Sequence, residues 1–328
     1  MAPSLDALAQ RVLEGDRRAL ARAITLIESR RPDHQEQAER LLKRLLPATG
    51  RAVRLGISGT PGAGKSTFIE ALGRHVIEQG HQIAVLAVDP SSRRSGGSIL
   101  GDKTRMQRLA QAPEAFIRPS PAGATLGGVT RRTREAGLAC EAAGFDVVVI
   151  ETVGVGQSEG AVADMVDCFL LLLAPGAGDE LQGLKRGIVE LADLVVINKA
   201  DGELLAAAKR AKADYGAALQ LLRPSIAAWT PEVLACSAVH EQGIDRIWQA
   251  VRRHRRALED AGELAPKRAR QTRSWLWSEV HAALADALGA DPDTAELLAA
   301  LEDAVGAGRL LPPQAARELI ARFRAGGR

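Results

Sequence analysis

A doubly wound, mostly parallel α/β sheet with helical extensions at both ends is the fold class this sequence predicts. Three observations lead there. A glycine-rich loop, Gly59-Thr60-Pro61-Gly62-Ala63-Gly64-Lys65-Ser66, lies between a short apolar run and a helical stretch. Short apolar runs alternate with helical stretches across residues 51–261. Over residues 262–328 those runs stop and helical spacing takes over.

Taken in order, residues 1–50 form an N-terminal helical extension. Asp33 followed by Glu36 predicts a capping-box start. Glu36 with Arg40 and Glu39 with Lys43 have the spacing of exposed ion pairs. Pro47 to Gly50 is a linker. Strands are expected at Val53–Ile57, Ile83–Val88, Ala115–Ile117, Val147–Ile150, Phe169–Leu173, Leu194–Ile197 and Val233–Cys236. Several are continuously apolar, as strands covered on both faces must be. Ser66 to Gln79 predicts a helix directly after the glycine-rich loop. Near the C-terminus, helices are expected over Ser274–Leu288, Thr294–Val305 and Pro313–Phe323. Leu276, Val280, Leu284 and Leu288 recur every four residues. They make one apolar face, for packing on the same chain or on a second subunit.

Composition narrows the function classes. A chain of 328 residues can bury one large α/β core and carry additions. Aromatics are only 3%, so that core relies on Leu, Val, Ile and Ala. A net charge of +3 lacks the concentrated basic face that nucleic acid requires. The run Arg252-Arg253-His254-Arg255-Arg256 reads as a solvated helix end. Cys140, Cys168 and Cys236 are scattered and odd in number, which fits a reducing compartment. The six histidines show no metal-ligand spacing. No basic-then-apolar leader opens the chain, and the longest apolar run, Cys168 to Ala174, is too short to span a bilayer. A cytoplasmic protein without membrane or nucleic-acid partners is expected.

The chemistry lies at the ends of the predicted strands. Glycines in the loop 59–66 let successive N–H groups turn inward onto phosphate oxygens. Lys65 can reach the β and γ oxygens, and Ser66 can offer its hydroxyl to Mg2+. Asn198-Lys199-Ala200-Asp201 follows a buried strand. Its carboxylate can accept from guanine N1–H and the 2-amino group, a donor pair that adenine lacks. Cys236-Ser237-Ala238 follows the last strand, where backbone N–H groups can meet the guanine carbonyl.

Three further segments carry switch-like composition. Residues 89–105 are polar and glycine-containing, with carboxylates at Asp89 and Asp102 that suit Mg2+. Glu151-Thr152-Val153-Gly154-Val155-Gly156-Gln157 follows a strand. There Glu151 can hold Mg2+ through water, and the Gly154 N–H can meet a γ-phosphate. Residues 175–186 combine glycines with charge, as in a loop that reorders. Val155 stands where simple signalling GTPases place a water-orienting Gln, so slow intrinsic hydrolysis is expected.

Together, Gly59 to Thr67, Asp89-Pro90-Ser91-Ser92, Gly96 to Met106, Glu151 to Glu159 and Asn198 to Asp201 resemble the methylmalonyl-CoA mutase-associated GTPases, along essentially the whole chain. That resemblance implies a homodimeric GTPase that escorts an adenosylcobalamin-dependent acyl-CoA mutase. It would gate cofactor loading and protect or reactivate the mutase, using GTP/GDP and Mg2+. It assigns nucleotide contacts to Gly59, Thr60, Pro61, Gly62, Ala63, Gly64, Lys65, Ser66, Thr67, Gly154, Asn198, Lys199, Asp201, Ser237, Ala238 and Val239. Ser66, Asp89, Asp102 and Glu151 would surround Mg2+, with Lys65, Asp102 and Glu151 in catalysis. Asp179, Gln182 and Lys185 would signal to the mutase, and residues 262–328 would be the dimerisation segment. The alternative is a kinase, as older transport-kinase naming supposed. No separate acceptor domain is visible for it.

Overall fold

The computed structural model describes residues 4–88, 106–119, 126–152, 159–175, 186–221 and 226–326. The chain forms two compact units, Met1–Ala269 and Arg270–Arg328.

The first unit opens with α1 (Leu5–Leu13), α2 (Arg17–Ile27) and α3 (Pro32–Leu45). Ser4 caps α1 by accepting the Ala7 N–H, and Asp16 caps α2 by accepting from Arg18 and Ala19. The expected cap at Asp33 is not formed. Helix α3 starts two residues earlier, with Pro32 in its first position and Arg31 as a cap without a side-chain bond. Proline presets the first helical φ, so the start shifts to it. Asp33 is instead held by Arg31, at 3.0 and 2.8 Å. The expected Glu36–Arg40 pair is present at 3.9 Å.

All seven expected strands form. They are β1 (Val53–Gly59), β2 (Ile83–Val88), β3 (Ala115–Arg118), β4 (Val147–Thr152), β5 (Cys168–Leu173), β6 (Leu194–Ile197) and β7 (Glu232–Ala235). Their order in the sheet is β3-β2-β4-β1-β5-β6-β7, and each pairing is parallel. Strands β1 and β4 run two residues past their expected ends. β1 reaches Gly59, and β4 carries Glu151 and Thr152, with Glu151 opposite Ile57 and Ala87. Glu151 therefore lies inside the ladder rather than after it.

Helices between the strands are α4 (Lys65–Glu78), α5 (Gln107–Gln111), α6 (Leu126–Ala142), α7 (Glu159–Ala163), α8 (Arg186–Glu190), α9 (Leu205–Gln220) and α10 (Ile244–Asp260). Alternate strand residues enter two cores. One core joins Phe68 and Leu72 of α4 to Ile247 and Trp248 of α10, over Leu55, Ile57 and Val149. The other joins Ile150, Phe169 and Leu171 to Leu20, Ile24 and Leu41 of the N-terminal helices. Those helices thus share the sheet's own core. Truncating one such leucine to Ala costs about 2–5 kcal/mol.

The basic run sits in α10 and is mostly solvated, as expected, with Arg252, Arg253 and Arg256 exposed. Arg253 pairs with Glu232 at 2.8 Å and Arg255 with Glu259 at 2.7 Å, while His254 is fully buried. Helix α11 spans Leu264–Ala290, starting ten residues before the expected Ser274. Pro266 falls in its first turn, where proline breaks no helical bond.

In the second unit, α12 (Pro292–Gly306) and α13 (Pro312–Gly326) pack together and bury Leu301 and Ala315. Asp291 caps α12 by accepting the Thr294 N–H. On α11, Leu276, Trp277 and Leu284 are all more than half exposed. Among the described residues, no helix is long and apolar enough to cross a membrane.

Candidate nucleotide site

The site is built at the carboxyl ends of β1, β4 and β6, where a doubly wound sheet places its ligands. β1 delivers the chain into the glycine-rich loop. A Cβ on Gly59 would lie 2.1 Å from the Leu172 carbonyl of the neighbouring strand, so only glycine fits there. Gly64, at φ 87°, precedes α4, and a Cβ on it would lie 2.8 Å from Asn198 Nδ2. The loop thus ends against the first N–H groups of α4, which favour an anion. Lys65 donates from Nζ to the Gly59 carbonyl at 2.7 Å and the Thr60 carbonyl at 3.3 Å. Burial lowers its pKa, and the charges of Glu151 and Glu159 oppose that shift. Ser66 is half-buried in the first turn of α4, Thr67 is exposed, and Glu151 is buried at the tip of β4. A hydroxyl and a carboxylate are hard oxygen donors, a set that fits Mg2+.

The second half of the site follows β6 and β7. Asn198 is buried, and its Nδ2 donates to the Ala63 carbonyl at 2.8 Å. Its Oδ1 accepts the Ala238 N–H at 3.0 Å and faces the Cys236 thiol at 3.5 Å. Lys199 adopts φ 55°, an uncommon conformation for a residue with a side chain. The Ser237 hydroxyl donates to the Asp201 carboxylate. Ser237 and Gln242 exchange backbone bonds at 3.0 Å, closing a small loop that leaves Val239 exposed. Arg74 of α4 reaches this loop through Glu241 at 2.5 Å.

Of the residues expected at the site, 59–67, Glu151, Asn198, Lys199, Asp201 and 237–239 are described. Asn198 joins the phosphate side to the base side. Asp89, Asp102, Gly154, Asp179, Gln182 and Lys185 lie outside the described residues. Several contacts escaped the sequence: the Cys236 thiol beside Asn198, the Arg74–Glu241 pair, and a bond between Ser58 and Thr152. Also unexpected is a buried group of Cys168, Asp193 and His254 at the amino ends of β5 and β6. His254 Nε2 is 3.5 Å from Asp193 Oδ1, longer than a hydrogen bond, and its ring stands edge-on to Trp229. Lys267 lies 3.7 Å from Asp193 and already supplies a cation there.

Sheet, glycine-rich loop and guanine-type motif together define a P-loop GTPase that binds guanine nucleotide. The family model for "Methylmalonyl Co-A mutase-associated GTPase MeaB" matches residues 20–293, and the chain belongs to that family. It is 58% identical to a "Putative GTPase" of Caulobacter vibrioides, over 98% of this chain and 99% of the relative. It is 48% identical to the mouse "Methylmalonic aciduria type A homolog, mitochondrial", over 98% of this chain and 80% of that protein. A solved structure titled "Crystal structure of LAO/AO transport system kinase" is similar at a TM-score of 0.79 and 41% identity, over 99% of both chains.

Proposed function

We propose that this GTPase is a nucleotide-gated chaperone for an adenosylcobalamin-dependent acyl-CoA mutase, methylmalonyl-CoA mutase or a close relative. It gates cofactor loading and protects or reactivates the mutase. The observation that carries this reading is the family match over residues 20–293, joined to relatives named for methylmalonic aciduria.

Within the site, Lys65 and the backbone of residues 59–67 hold the phosphates, and Asp201 reads guanine. Ser66 and Glu151, with Asp89 and Asp102, hold Mg2+, which offsets charge on the phosphate oxygens. Asp201 reads the base from a fixed position, because Ser237 already occupies one carboxylate oxygen. Asp179, Gln182 and Lys185 carry the signal to the mutase. Residues 262–328 form a homodimer arm, a reading supported by the exposed Leu276, Trp277 and Leu284 on one helix. The kinase reading has a name in its favour, that of the 41%-identical structure. The Asn198–Asp201 arrangement favours a guanine-reading switch instead.

The test is co-purification from native extract with GTP, with GDP and without nucleotide. Recovery of a cobalamin-dependent mutase that changes with the nucleotide is expected. Recovery of none in any state overturns the proposal.

A further inference from the structure

Ser58 and Thr152 are both fully buried, and the Thr152 hydroxyl donates to Ser58 Oγ at 2.8 Å. They lie one residue beyond the Ile57–Glu151 rung of the β1–β4 ladder. Ser58 immediately precedes Gly59, the first residue of the phosphate loop. Thr152 immediately follows Glu151. Strand side chains alternate between faces. Val147 and Val149 enter the core beneath α4, whereas Val148 and Ile150 enter the opposite one. Glu151 therefore faces the α4 side, where its charge acts on Lys65. Thr152 faces away, next to Ser58.

Packing alone does not require a hydroxyl pair at this position. Its neighbours across the adjacent strands are Val88 and Leu171, both aliphatic. Two apolar side chains of similar shape would serve packing equally well, because replacing both partners of a buried hydrogen bond is close to neutral. What aliphatic groups cannot supply is direction. A hydrogen bond fixes one strand tip against its neighbour in a single register.

We propose that Ser58 and Thr152 are a positioning pair for GTP hydrolysis. Their bond holds the tip of β4 against the root of the phosphate loop, and so sets the Glu151 carboxylate at its working distance from Lys65 and the nucleotide phosphates. The inference rests on the placement of Glu151 beside the phosphates given above. Neither hydroxyl touches the nucleotide; both act through Glu151.

The experiment uses the full chain with Thr152→Val, Ser58→Ala, Thr152→Ser and Glu151→Gln. It reads kcat, KM for GTP, the half-saturating Mg2+ concentration, Tm, and affinity for a fluorescent GDP in EDTA. Thr152→Val is expected to lower kcat about tenfold, the scale of a small misplacement of a reacting group. It should also raise the Mg2+ requirement, with GDP affinity in EDTA changed by less than about twofold, since no nucleotide contact is removed. Thr152→Ser keeps the hydroxyl and should keep kcat. The Ser58→Ala/Thr152→Val double variant should be no slower than either single, the mark of one shared interaction. If Thr152→Val does not fold, Ser58→Ala carries the same kcat prediction. Lowered Tm with unchanged kcat in both singles overturns the pair, as does a Thr152→Ser variant as slow as Thr152→Val. Glu151→Gln separates the two readings. If it hydrolyses GTP normally, the placement of Glu151 fails and the pair with it. If it is crippled while Thr152→Val is not, the pair alone fails.

Discussion

Asn198 Nδ2 donates to the Ala63 carbonyl at 2.8 Å, so one buried side chain ties the loop after β6 to the phosphate loop. The same side chain accepts the Ala238 N–H, which brings the loop after β7 to the same point. Three loops separated in sequence are thus braced at one residue.

Replacing Asn198 by Ala should loosen both halves of the site together. It leaves the buried Ala238 N–H without its acceptor, a loss of about 1–3 kcal/mol. Calorimetry should show weaker GDP and GTP binding, and a thermal melt should show a lower Tm. Unchanged affinity for both nucleotides would contradict the bracing role.

Asp201→Asn should erode the preference for guanine. The variant loses the charged acceptor for N1–H and the 2-amino group, a change of about 1–3 kcal/mol, or roughly tenfold to a hundredfold in affinity. Titration with GTP, ATP and xanthosine triphosphate checks this. The parent should bind GTP far better than ATP. Equal affinities in the parent would remove the guanine assignment.

Lys65→Ala should slow hydrolysis by about 10²–10³-fold, the usual loss when one transition-state donor is removed. In the structure its Nζ bonds to the loop's own carbonyls, so the cation is already held over the loop. Phosphate release measured under saturating GTP decides the point, and unchanged turnover would remove the lysine from the chemistry.

Arg268 grips Asp167 with two bonds, at 2.8 and 2.7 Å, and Asp167 also accepts the Arg54 N–H at 3.0 Å. Burial alone would raise the Asp167 pKa, but Arg268 and Arg54 bring it below the ordinary carboxylate value. A depressed folded pKa stabilises the fold above the unfolded value of about 3.9, and that contribution disappears as pH falls through the folded value. Arg268→Ala leaves a buried charge unpaired and should cost about 3–5 kcal/mol near pH 7. Denaturation at pH 7 and below pH 4 should show the difference from the parent narrowing in acid. A pH-independent difference would contradict the ion pair.

Strand centres were legible because runs such as Phe169–Leu173 are apolar at every position, which only a sheet covered on both faces tolerates. Strand ends were not, because the ladder continues through Gly59 and Glu151, residue types that strands disfavour, before it reaches Thr152. The phosphate and guanine motifs were legible because their residue types follow from the chemistry at fixed spacing. The Ser58–Thr152 bond, the Arg268–Asp167 grip and the burial of His254 join residues far apart in sequence, so no local pattern marks them. At α3, the capping pattern at Asp33 competed with Pro32, and the proline's fixed φ set the start.

The most direct measurement is the rate of GTP hydrolysis by the purified protein, alone and titrated with methylmalonyl-CoA mutase. A slow basal rate that rises saturably with the mutase, with the ratio of the two falling toward one in Lys185→Ala, is the result predicted here. A rate indifferent to the mutase at every concentration would contradict the chaperone assignment.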